Sequence, residues 1–360
     1  MRSATAVIVG GGIVGAALAW ELRQAGWGVT LIEKDEIFAG ASSRAAGILG
    51  FDAEALDKPG AQWTVDARDQ WFAWYDNLQE FTGLSADVER VGILRVLTEH
   101  EDVASALALS GPHVRVVARD AMPWADRYRP PMAGALFFAH DGRVDPRRLG
   151  RMLERALDLS GVRIITAEPV QTLLTHGPRV EGVVTTSETL RGDLTIVAAG
   201  VKARDLLAPL DIALPVKPVR GQIIQVEQPP WWPPYVVETP EFYAVPRSDK
   251  TLVVGSTWEE GVESPTATLE GVSSLSRSLQ EAFPALSEAP LLQAWGGVRP
   301  VSEDGWPFLG PVAGWDGLVV AVGHGAHGVM WAPWTAMVVA SMIEGRWDPS
   351  WDRVTARRLG

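Results

Sequence analysis

Residues 6–12 read AVIVGGG, an apolar run that stops in glycines, and Gly10, Gly12 and Gly15 fit the spacing G-x-G-x-x-G. Each glycine has a physical task. Gly10 permits a tight turn, Gly12 lets the backbone approach a pyrophosphate, and Gly15 lets a helix lie close to a sheet. Residues 13–25 read as that helix, with Ile13, Ala16, Ala17, Trp20 and Ala25 available to pack. Its first turn, at Ile13 and Val14, offers free N–H groups and partial positive charge to a diphosphate. Residues 29–32 form a second apolar run that ends in Glu33 and Lys34. A carboxylate at Glu33 can accept hydrogen bonds from both hydroxyls of a ribose and would repel a 2′-phosphate. Strand, glycine turn, helix, strand and acid, in that order, predict a dinucleotide site. The alternatives are a ligand-free βα turn and a signal segment; three consecutive glycines argue against the second.

Composition narrows the class. The chain has 360 residues, 47% hydrophobic and 21% charged, enough for a sizeable core and two domains. A net charge of −12 argues against a nucleic-acid partner or an anionic membrane surface. No apolar stretch reaches the roughly 20 residues that span a bilayer. Cysteine is absent, so disulfides, thiolate metal sites and a cysteine nucleophile are excluded. The six histidines are scattered and predict no metal site. The lack of a targeting segment and of cysteine suggests the cytoplasm, and a homo-oligomer is compatible with the sequence. Of the 16 tryptophans, Trp231-Trp232 and Trp331 with Trp334 could line an aromatic pocket, although core packing is the more ordinary use.

The elements that must position these residues follow in order. Residues 51–62 read as a loop and 63–83 as a helix closed by Gly83. Residues 91–98 predict a strand, 101–111 a helix, and 114–120 and 134–142 further strands. These short elements lack a βαβ rhythm and belong to a more antiparallel region. Asp145 and Pro146 start a helix as N-cap and first residue. Two strands flank Pro169, and a hairpin over residues 180–193 feeds a buried strand, 194–198, that ends in Ala199-Gly200. Residues 214–228 alternate. PPWWPP, 229–234, reads as a semi-rigid aromatic loop that could cover an active site. A hairpin turns at 248–250, a helix spans 269–283, and the strand from 318 breaks into glycines before a helix over 329–344.

GGGIVG, the acid-ended strand and GASSRAAGIL resemble the FAD-binding start of the D-amino-acid oxidase superfamily, nearest its glycine oxidase branch. The resemblance implies that Ser42, Ser43, Arg44, Ala46, Gly47 and Ile48 wrap a flavin. It places Val170 at adenine and Ala199, Gly200 and Gly297 at the cofactor. The pattern G-H-x-x-x-G-x-x-x-x-P resembles the family's C-terminal flavin segment, which here is His324, Gly325, Ala326, His327, Gly328 and Val329. The FAD would be non-covalent, since no cysteine can form a cysteinyl bond. The implied fold is α/β: a Rossmann-like FAD-binding domain (1–85, 145–215, 300–360) interleaved with an α+β substrate domain on a largely antiparallel sheet (86–144, 216–299).

Oxidising an amine beside a carboxylate needs a cation for the carboxylate, an α-C–H aimed at flavin N5, and a neutral nitrogen. A guanidinium suits the first task through two parallel hydrogen bonds. By resemblance Arg299, in G-G-V-R-P, is the carboxylate-binding arginine and Tyr243, in F-Y-A-V-P-R, the substrate-bonding tyrosine. A salt bridge and a half-buried strand aromatic are the alternatives for the two. No dedicated base is demanded. Two departures stand out. Ala326 replaces a second arginine of the glycine oxidase pattern, with His327 beside it, and Glu241 replaces a histidine; His327, Glu241 and Ala326 are therefore substrate-pocket candidates. The expected activity is FAD-dependent oxidation of glycine, sarcosine or a D-amino acid to the imine, with dioxygen as acceptor and a dehydrogenase possible. The alternatives are a bulkier or aromatic secondary amine and a non-catalytic flavin-binding subunit.

Overall fold

A computed structural model describes residues 4–50, 61–98 and 114–359. The first part runs β1 (Thr5–Val9), α1 (Ile13–Gln24), β2 (Gly28–Ile32), β3 (Ile48–Leu49), α2 (Ala61–Thr82), β4 (Ile93–Leu97), β5 (Val114–Val117), β6 (Gly134–Phe138), β7 (Gly142–Arg143) and α3 (Pro146–Ser160). Then come β8 (Arg163–Ile165), β9 (Val170–His176), β10 (Arg179–Thr185), β11 (Thr189–Arg191), β12 (Leu194–Val197), α4 (Ala203–Leu207), β13 (Val216–Glu227), β14 (Val236–Glu238), β15 (Tyr243–Pro246) and β16 (Thr251–Gly255). The last part is β17 (Glu259–Glu260), α5 (Leu269–Ala282), β18 (Leu291–Ser302), β19 (Phe308–Pro311), β20 (Leu318–Val322) and α6 (Gly328–Ile343). The helix expected at 101–111 lies outside the described residues, as does the loop expected at 51–62 up to residue 60.

Two sheets organise the molecule. The first has the order β19-β20-β12-β1-β2-β8 and is parallel except at β19. Its strands are short continuous apolar runs because helices cover it; α1 packs against α3 and α6. Asp145 caps α3 by accepting from the N–H groups of Arg147 and Arg148, and Gly161 closes it at φ 78°.

The second sheet has nine strands in the order β17-β13-β16-β15-β14-β4-β6-β5, with β18 also on β13. It is antiparallel except between β14 and β4. Period-2 alternation divides its side chains. Leu94, Val96, Ile224, Ala244 and Val254 join an outer core with Leu275 and Leu279 of α5. The other face looks toward the first sheet.

The aromatic loop at 229–234 departs from its expected place. Trp232 is buried in the outer core, its ring 5.0 Å from that of Phe283, so the loop seals this core and does not line the cavity described below. The rings find apolar partners where the prolines end the strand. Trp331 and Trp334 are likewise buried in the core. Among the described residues no helix is long and apolar enough to cross a membrane.

The tightest joint is at α1. A Cβ on Gly15 would lie 2.0 Å from the Gly10 carbonyl oxygen, which is backbone and cannot turn aside. Gly15→Ala is therefore expected to destabilise the protein by about 1–3 kcal/mol through overpacking. Urea unfolding checks the loss; an unchanged midpoint would refute the close approach.

Candidate functional site

One cavity of about 1080 Å³ runs between the two sheets. Its first wall is the β1–α1 turn, where Gly10, Gly12, Ile13 and Val14 face the space. Gly10 has φ 110°, a conformation open to glycine, and Gly15 stands behind the wall as the packing residue. Glu33 and Lys34 line the cavity at the end of β2. The Glu33 carboxylate is oriented by two backbone donors, Gly11 N–H at 2.7 Å and Asp35 N–H at 3.1 Å. Val170, Ala199 and Gly200 line the same region.

The loop after β2 forms the next wall. Ser42, Arg44, Ala46, Gly47 and Ile48 face the cavity. Ser43 does not, which corrects its expected place: it sits in a turn whose successive side chains diverge, and its neighbour Ser42 is the one aimed inward. Ser42 Oγ accepts from Ile13 N–H at 2.9 Å, fixing the loop on the start of α1. Arg44 donates to the carbonyls of Ala39 (3.3 Å) and Gly296 (3.1 Å), while Trp295 Nε1 donates to the Arg44 carbonyl (3.0 Å). Gly297 keeps this seam close, since a Cβ there would be 3.0 Å from Arg44 Cβ.

Arg247 holds the loop from the other side. Its guanidinium donates to the carbonyls of Ala46 (2.5 Å) and Val144 (2.6 Å). Burial pulls its pKa down to about 10, leaving it charged at neutral pH. Gly47 has φ 72°, and a Cβ on it would meet the Val144 carbonyl oxygen at 2.1 Å.

The third wall is the turn from β20 into α6, where His324, Gly325, Ala326, His327, Gly328 and Val329 all line the cavity. His324 is buried, and its Nε2 pairs with Thr335 Oγ1 at 2.9 Å. Burial, reinforced by His327, lowers its pKa to about 3. The His327 ring stacks on Trp331 at 4.6 Å. Ala326 presents no charge. Two helix N-termini, an oriented carboxylate and a glycine-lined cradle therefore face one elongated space, and this donor set fits FAD.

Arg299 and Tyr243 line the cavity on the face of the nine-stranded sheet. Two glycines make the room. A Cβ on Gly221 would lie 2.3 Å from Arg299 Nη2, and one on Gly255 would lie 2.7 Å from the Tyr243 hydroxyl. Arg299 donates to Ser256 Oγ at 2.5 Å and to the Thr257 carbonyl at 3.4 Å. Burial raises the Tyr243 pKa, opposed by the Arg299 charge and a hydrogen bond to Ser256, so the phenol stays a neutral donor. Behind Thr257, Glu259 accepts from Arg220, Gln222 and Thr257 Oγ1, bonds that hold its carboxyl at about 2.

Glu241 does not reach the cavity. It is exposed at the start of β15, and its field falls on Tyr128, which belongs to the outer core. The acid that does line the cavity here is Glu238, paired with Tyr243 across β14 and β15. Sequence reasoning also passed over Gly221, Gly255, Ser256, Thr257 and Arg247. Glycine inside a strand was the available signal, since it marks close approach.

The chain matches the DAO family model, described as FAD dependent oxidoreductase, over residues 5–342. A glycine oxidase from Pseudomonas aeruginosa is 32% identical over 349 residues, 94% of each chain. Among solved structures, glycine oxidase from Geobacillus kaustophilus superposes with a TM-score of 0.90 at 27% identity, covering 99% of both chains. Iminodiacetate oxidase from Chelativorans superposes with a TM-score of 0.86 at 26% identity, covering 97% of this chain and 98% of that one.

His324 sets a pH dependence. Its folded pKa of about 3 lies below the ordinary 6.5, so between those values the unfolded chain binds a proton that the native chain refuses. Stability is complete above the higher value and falls as pH drops, by about 1.4 kcal/mol per pH unit for that proton. Urea midpoints between pH 7 and 4 should therefore fall less steeply in His324→Asn. Parallel slopes would refute the assignment.

Proposed function

The chain belongs to the DAO family of FAD-dependent oxidoreductases, an amino-acid or amine oxidoreductase by that membership, and on this premise we propose that it oxidises a small amino acid or N-methyl amino acid to the imine, with dioxygen as acceptor. The observation that carries the reading is the meeting of Arg299 and Tyr243 over Gly221 and Gly255 on the cavity wall. Bound FAD supplies the two-electron acceptor at N5. Arg299 grips the substrate carboxylate through parallel charge-assisted hydrogen bonds. Tyr243, kept neutral by burial, donates a further bond to that carboxylate. Together they fix the α-carbon and its C–H in one orientation relative to the flavin segment at 324–329.

The reaction balances simply. The α-carbon gives up a hydride and the nitrogen a proton, C–N becomes C=N, and water hydrolyses the imine to an oxo acid and an amine. Dioxygen takes up the two electrons and two protons as hydrogen peroxide. Glycine, sarcosine and D-amino acids are the candidate substrates; Ala326, which offers no second cation, disfavours dependence on a two-arginine grip at that position. The reading as a flavin-binding subunit without a substrate site requires Arg299 and Tyr243 to face away from the cavity, and both line it.

Anaerobic spectroscopy of the purified yellow protein tests the proposal. One of glycine, sarcosine or a panel of D-amino acids should bleach the flavin, and peroxide should appear on admitting air. Arg299→Gln, which removes a bidentate charged contact of about 3 kcal/mol, should lower kcat/KM about 100-fold or more. A flavin that none of these acids bleaches would overturn the substrate class.

A further inference from the structure

The cavity face of the nine-stranded sheet carries a second arginine that the proposed reaction does not use. On β4, Leu94 and Val96 enter the outer core, while Ile93 and Arg95 line the cavity. β4 is an internal strand, between β14 and β6. Arg95 is half-buried there, and among the described residues no carboxylate forms an ion pair with it. A half-buried guanidinium on the inside of a sheet, with no carboxylate in direct ion-pair contact, can still take a ligand anion.

Register places it. Arg95 stands opposite Glu238 on β14, and Glu238 stands opposite Tyr243 on β15. Tyr243 stands opposite Gly255, and Ser256, the next residue, accepts from Arg299. Strands lie about 4.8 Å apart, so the backbones of Arg95 and Tyr243 are roughly 10 Å apart. Across the cavity face the groups therefore run cation, anion, phenol, cation. The Glu238 charge is felt at Tyr243, where it raises the phenol pKa.

We propose that Arg95 and Glu238 form a second subsite, and that the substrate is an amino diacid: an amine with a carboxylate on either side. Arg299 and Tyr243 take the carboxylate of the reacting arm, Glu238 faces the ammonium, and Arg95 takes the distal carboxylate. The order of charge on such a ligand, minus, plus, minus, is the complement of the order on the wall. A simple amino acid would leave Arg95 without a ligand carboxylate to bind. This inference rests on the proposed carboxylate-binding role of Arg299.

Two ethers that cannot be oxidised test it in the FAD-loaded enzyme. Oxydiacetate has two carboxylates flanking an ether oxygen, and methoxyacetate has one. Their dissociation constants are read from perturbation of the flavin absorbance. The unaltered enzyme should bind oxydiacetate at least 10-fold tighter than methoxyacetate. Arg95→Gln should bring that ratio close to one, and Glu238→Gln should raise it by removing repulsion that no ammonium offsets. With oxidisable ligands, kcat/KM for iminodiacetate should exceed that for sarcosine by at least 10-fold. Equal binding of the two ethers by the unaltered enzyme, or a ratio that survives in Arg95→Gln, overturns the subsite. Methoxyacetate binding that depends on Arg299 leaves the simpler amino-acid reading standing in that event; loss of both ligands' binding would sink both.

Discussion

The approach of the Gly15 α-carbon to the Gly10 carbonyl fixes where the rest of the site can stand. With no side chain between them, α1 begins in contact with the end of β1, and its first turn opens on the cavity. Gly10 closes against Ala198 by the same means, a Cβ there falling 2.5 Å from the Ala198 carbonyl oxygen. Three strands, β2, β1 and β12, thus deliver their ends to one point. Glu33 and Ser42 then take up backbone N–H groups at that point, which couples the acid and the following loop to the helix start.

Phe38 and Ala46 anchor that loop in the core, and polar contacts from distant segments hold the rest of it. Arg44 reaches β18, Trp295 reaches back, and Arg247 binds two carbonyls at once. An arginine serves where a lysine would not, because its planar fork satisfies two acceptors from one fixed side chain. Arg247 also follows directly on β15, the strand that carries Tyr243. The cofactor wall and the substrate wall are therefore joined through the Arg247 side chain.

The parts of the fold written in local pattern were legible in the sequence. The β1–α1–β2 unit, the Asp145 cap and the strand-to-helix turn at 322–328 each announce themselves through glycine, proline or apolar spacing. Residues whose place is decided by pairing between distant strands were not. Glu241 and Glu238 are three residues apart, yet one is exposed and the other faces the cavity, a result of the turn at 239–242 that sequence periodicity does not reveal. Arg95 lies within the strand expected at 91–98, and only the sheet order brings it beside Glu238. The tryptophan pair at 231–232 was placed by the outer core, which is assembled from four separate stretches of chain.

The electrostatics of Arg299 complete the logic. Its hydrogen-bond partners, Ser256 Oγ and the Thr257 carbonyl, are neutral oxygens, and its guanidinium also lies over the Trp258 ring at 5.4 Å. An acid does stand nearby: Glu259 is two residues beyond Thr257. Yet Glu259 is committed to Arg220, Gln222 and the Thr257 hydroxyl, whose hydrogen bonds lower its pKa to about 2 and hold it away from Arg299. The network thus orients Arg299 through the Ser256–Thr257 segment without neutralising it. A guanidinium positioned by dipoles retains its full charge for a ligand carboxylate, whereas one positioned by a carboxylate would have to exchange one ion pair for another and gain little.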